Sequence, residues 1–167
     1  GVLGQMGSLG PWQNQAALSP DGTAVYALGF PAEVGINGSL YAFDLSTDTF
    51  DHDVAHGGGL DGATLAGFDH QDRLIAMRFS AVGTMEVLSV DPVTAAIGVL
   101  GQMGSLGPWQ NQAALSPDGT AVYALGFPTD VGIDGSLYVF DLVTDAFDYD
   151  VNHGGMLDDA TLAGFGQ

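Results

Sequence analysis

Residues 9–30 read LGPWQNQAALSPDGTAVYALGF, and the same letters return at residues 106–127. Sliding the chain by 97 positions pairs residues 1–70 with 98–167, and 58 of those 70 pairs are identical, the first 31 without a break. Identical stretches of this length must form the same local structure twice, so the fold is assembled from a repeated part. Residues 71–97 lie between the copies and have no second counterpart. A period of 97 is long for one repeat unit, whereas about 40–50 residues is the length of a four-stranded blade. The unit therefore divides in two.

In the first half, NQAALSP (14–20) and AVYALGF (24–30) flank Asp21-Gly22, a hairpin signal because both residues tolerate turn backbone. SLYAFDL (39–45) then passes through STD into TFDHDV (49–54). The second half repeats the rhythm with ATLAGF (63–68), RLIAMRF (73–79), TMEVLSVD (84–91) and AAIGVLG (95–101). No stretch carries apolar residues at helical spacing, and turn signals recur every eight to twelve residues. AVYALGF is apolar on both faces, as suits a middle strand packed on each side, while FDHDV alternates like a half-solvated outer strand. Strict alternation places His52 and its counterpart Tyr149 on the face of Phe50 and Phe147. Eighteen Asp against two Glu point the same way, because Asp favours turns and strand ends while Glu favours helices.

These features predict an all-β chain of β-propeller-like, four-stranded antiparallel blades. Three complete blades fall at about 9–56, 57–104 and 106–153, with an incomplete fourth at 1–8 and 154–167. The run LSPDGTAVYALG…GSLYAFDLSTDTF resembles the YVTN-type, WD-repeat-like propeller repeat, at residues 17–50 and again at 114–147. The second half resembles it more loosely, through the Asp-Pro-x-Thr turn at 91–94. Some proteins with such repeats are sugar-lactone hydrolases, so the resemblance implies a lactonase-like hydrolase as one alternative.

Charge narrows the partners. The formal net charge is −18, there is no lysine, and Arg73 and Arg78 are the only cationic side chains besides histidine. Such a field repels phosphate backbones and anionic lipid, which excludes nucleic acid. No window approaches 18 apolar residues, so no membrane insertion is expected. The absence of cysteine excludes a disulfide framework and a thiolate metal site. The chain opens on Gly1 with no charged-then-apolar leader before it, the expectation for a processed chain or a piece of a longer one.

Two sets of residues could carry a site. Trp12, Gln13, Asn14 and Gln15, with Trp109, Gln110, Asn111 and Gln112 in the copy, lead into innermost strands near the axis where propellers bind ligands. A ring beside amides suits a glycan, although tryptophan packed between blades explains the same residues. Asp51 and Asp53, with Asp148 and Asp150, share a face of the outer strand and supply the oxygen donors that Ca²⁺ needs, or else form a solvated edge. Asp21, Asp44, Asp91, Asp118 and Asp141 sit in turns or end strands, where bonds to nearby backbone account for them. Ser19 and Ser116 lie in turns without a Gly-x-Ser-x-Gly elbow, so no nucleophile is indicated and an enzyme is not expected.

The incomplete fourth blade and the nearly unchanged copies lead to a functional expectation. It is a non-enzymatic, extracellular or cell-surface structural protein that pairs with copies of itself into an oligomer, array or filament. The alternatives are a glycan- or Ca²⁺-dependent binding module and the lactonase-like hydrolase.

Overall fold

The computed structural model describes residues 16–29, 39–55, 59–60, 62–79, 84–94, 96–103, 113–126, 136–152 and 162. They form twelve strands: β1 Ala16–Leu18, β2 Ala24–Gly29, β3 Ser39–Asp44, β4 Thr49–Ala55, β5 Thr64–Phe68, β6 Leu74–Phe79, β7 Met85–Val90, β8 Ile97–Met103, β9 Ala113–Leu115, β10 Ala121–Gly126, β11 Ser136–Asp141 and β12 Ala146–Asn152. Successive strands pair antiparallel into three four-stranded sheets, β1–β4, β5–β8 and β9–β12. The described residues contain no helix, as the missing 3.6-residue periodicity requires. The incomplete fourth blade expected at 1–8 and 154–167 lies outside the described residues, Leu162 excepted.

The central sheet shows why the chain needs strands that are apolar on both faces. Leu74, Ile75, Ala76 and Met77 of β6 are all buried. Leu74 and Ala76 join a core with Ala17, Leu28 and Leu40 of the first sheet, whereas Ile75 and Met77 join another with Val122, Ala124 and Phe140 of the third. Successive side chains in a strand point to opposite faces, so one strand feeds two cores. The three sheets stack face to face, and β5 lies between β1 and β9 with the outer strand β8 approaching β12. That is a fan of blades whose first strands are innermost.

Each outer strand carries one extra residue, at the same place in β4 and β12. The register with its neighbour shifts between Ala42 and Phe43 for β4, between Val87 and Leu88 for β8, and between Val139 and Phe140 for β12. Phe50 therefore stands opposite Phe43 and His52 opposite Ala42, with Asp51 as the extra residue. Since Ala42 and Phe43 are consecutive on β3, the bulge corrects the strict alternation expected for this segment: Phe50 and His52 do not share a face. Phe43 and Phe50 meet edge to face at 4.9 Å between ring centres, and Phe140 and Phe147 repeat that contact.

Candidate functional site

The carboxylates of the hairpin turns are bound locally. Asp21 Oδ1 accepts from the Ser19 hydroxyl at 2.6 Å and from the Thr23 amide and hydroxyl at 3.0 and 2.8 Å. Asp118 repeats this with Ser116 at 2.6 Å and with Thr120 at 3.2 and 2.8 Å. These bonds, the serine hydroxyl first, hold both carboxyls down from 3.8 to about 2. Asp44 is lowered chiefly by the hydroxyl and amide of Ser46, Asp91 by the amides of Thr94 and Val93, and Asp141 by those of Thr144 and Val143. Asp48, Asp72 and Asp145 take positive φ at turn corners, a conformation that Asp tolerates better than most side chains. Among the described residues, the excess of Asp over Glu is thus largely turn construction.

The arginines are spent between and within blades. Arg73 Nε donates to Asp69 Oδ2 at 2.6 Å, while its Nη2 reaches the third sheet, 3.1 Å from the Leu142 carbonyl and 3.8 Å from Asp145 Oδ1. Asp69 is buried and also accepts the amides of Gln71 and Arg73. On the opposite face of the central sheet, Arg78 Nε donates to Glu86 Oε2 at 2.6 Å and its Nη1 donates to the Gly59 carbonyl. Gln102 Nε2 donates to the other Glu86 oxygen at 2.7 Å. The register sets Arg78 opposite Glu86 and Glu86 opposite Gln102, so the three form one cross-strand ladder.

The sequence reading missed this ladder. The places in the other sheets that share the facing of this pair hold Gly29 opposite Ser39 and Gly126 opposite Ser136. Laying RLIAMRF over AVYALGF sets Arg78 over Gly29, which marks the arginine as peculiar to the central sheet. Among the described residues, no three His, Cys, Asp or Glu side chains gather as a metal ion would require. Asp51, Asp53, Asp148 and Asp150 do fall on the outer strands β4 and β12. Asp51 is the bulge residue and Asp53 stands opposite Tyr41; Asp150 stands opposite Tyr138. Trp12, Gln13, Asn14 and Gln15, and Trp109, Gln110, Asn111 and Gln112, lie outside the described residues.

Blades of four antiparallel strands, innermost strand first and stacked face to face, define a β-propeller. Solved structures of that class match the chain. TolB from Acinetobacter baumannii aligns over 81% of this chain and 31% of its own, with a TM-score of 0.58 and 18% identity. The β-propeller domain of the Trilobed protease from Pyrococcus furiosus, which has an open velcro topology, aligns over 87% of this chain and 46% of its own, with a TM-score of 0.54 and 13% identity. Pyrococcus horikoshii acylaminoacyl peptidase aligns over 87% of this chain and 25% of its own, with a TM-score of 0.56 and 11% identity. The chain therefore spans between a quarter and a half of the length of these structures. No protein-family model matches it, and no curated protein sequence does.

These likenesses show the fold, and they correct the functional expectation. A self-assembling extracellular structural protein was inferred from incomplete blades, yet the same blades occur inside much longer single chains, peptidases among them. The described interfaces explain why. They are made by sheet faces and inner turns, as in the two cores on either side of β6, and are of the kind that joins consecutive blades of one chain.

Proposed function

We propose that the chain is a YVTN- or WD-type propeller module that binds cationic polypeptide segments and does no chemistry on them. The observation that carries this reading is the fate of the cations. Arg73 and Arg78 are both committed to internal ion pairs, with Asp69, Asp145 and Glu86, in a chain of net charge −18. The outward field is set by carboxylates, and such a field raises the local concentration and the association rate of positively charged ligands. Within this reading the setting is extracellular or at the cell surface.

The test is fluorescence anisotropy with a labelled Lys/Arg-rich peptide, its uncharged analogue and its acidic analogue. The basic peptide should bind with an affinity that falls as salt rises towards roughly 0.5 M, where charges are screened within a few ångströms. Equal binding of the uncharged peptide, or none of the basic one, overturns the reading.

A further inference from the structure

The two copies place the same residues in different surroundings, and on one face the third blade is the more buried copy. In the third blade, Val122, Ala124, Phe140 and Leu142 are 0–1% exposed against the central blade. Their identical counterparts in the first blade, Val25, Ala27, Phe43 and Leu45, are only half-buried. The turns behave alike. Gly119 (φ +70) packs so that an added Cβ would stand 2.6 Å from the His70 amide nitrogen, whereas at Gly22 (φ +72) nothing lies within 4 Å. Leu115 is half-buried, with a methyl 2.9 Å from the place a Cβ on Gly67 would occupy, while Leu18 is 57% exposed.

We propose that this face of the first blade is a docking surface for a further blade of the central type. The occupant is specified by the interface that the identical face already makes. It presents an apolar set equivalent to Ile75, Met77, Met85 and Val87, a glycine where Gly67 meets the leucine, and a turn equivalent to Asp69–Asp72 against the SPDG hairpin. A surface shaped for another partner would not duplicate, residue for residue, one that is filled by a central blade. The proposal stands apart from the binding of basic peptides, since it concerns an apolar sheet face and not the charged exterior.

The test extends the whole chain at its N-terminus with the sequence of residues 57–97, which restores a central-type blade ahead of the first. An extension of the same composition in scrambled order serves as control. Gly22→Ala should be tolerated in the original chain and in the control. In the extended chain it should become as destabilising as Gly119→Ala, and binding of a hydrophobic dye should fall. Unchanged tolerance of Gly22→Ala, or failure of the extended chain to fold while the control folds, overturns the proposal. A molecular mass that doubles with concentration in the original chain, with loss of dye binding, would assign the face to a second copy and overturn it as well. In the unextended chain, Phe43→Ala should cost severalfold less than Phe140→Ala, and equal costs would deny that the face is open.

Discussion

Gly22 and Gly119 offer a comparison in which sequence and local geometry cancel. Both follow Ser-Pro-Asp, both precede Thr, and their φ angles are +72° and +70°. Replacing either with alanine forces an L side chain into the left-handed region, at about 1 kcal/mol once the stiffer unfolded chain is set against it. At Gly22 the cost should end there. At Gly119 the new methyl must also displace backbone, since His70 N and Asp69 C lie 2.6 and 3.0 Å away, and overpacking of that kind costs about 1–3 kcal/mol. It would further strain the bond from the His70 amide to the Gly119 carbonyl, 3.2 Å long and contributing about 1 kcal/mol. Gly119→Ala should therefore destabilise by about 3–4 kcal/mol against about 1 for Gly22→Ala. In a chain of this size that is a melting temperature lower by roughly 9–12 °C against 3 °C. Urea unfolding followed by circular dichroism measures the first figure and calorimetry the second. Costs that agree within about 0.5 kcal/mol would refute the claim that the two turns differ by docking of the next blade, since surface substitutions scatter by no more than that.

Three further outcomes are expected. Arg78→Leu alone strands a buried Glu86 and should destabilise by about 2–4 kcal/mol, whereas Arg78→Leu with Glu86→Leu replaces the ion pair by apolar side chains and should be neutral or stabilising in urea unfolding. Leu74→Ala, at a fully buried site between the first two blades, should cost about 2–5 kcal/mol and broaden or shift the calorimetric transition. Because Asp21 and Asp118 have folded values near 2, below the ordinary 3.8, their stabilising contribution is complete above pH 3.8. It is lost as pH falls through that window to 2; Asp21→Asn with Asp118→Asn should flatten the melting profile between those limits.

Much of the fold was legible. Hairpin chemistry at Asp21-Gly22, unbroken apolar runs such as RLIAMRF and the Asp-rich turns located the strands to within two or three residues, because turns and strand patterns are local properties. The bulge at Asp51 was not legible from alternation, since it is defined by the partner strand. The Arg78–Glu86–Gln102 ladder was hidden for the same reason: the residues lie 8 and 16 positions apart and meet only once register is set.

The sequence by itself determined that one structural part is used twice, that it is β, and that its surface is anionic, since pattern, turn chemistry and charge travel with the residues. It could not distinguish Val25 from Val122, Leu18 from Leu115 or Gly22 from Gly119, which sit in identical strings of letters. Burial is a property of what stands opposite, and only the stacking of the central blade against the third decided which copy would be core and which would remain a face.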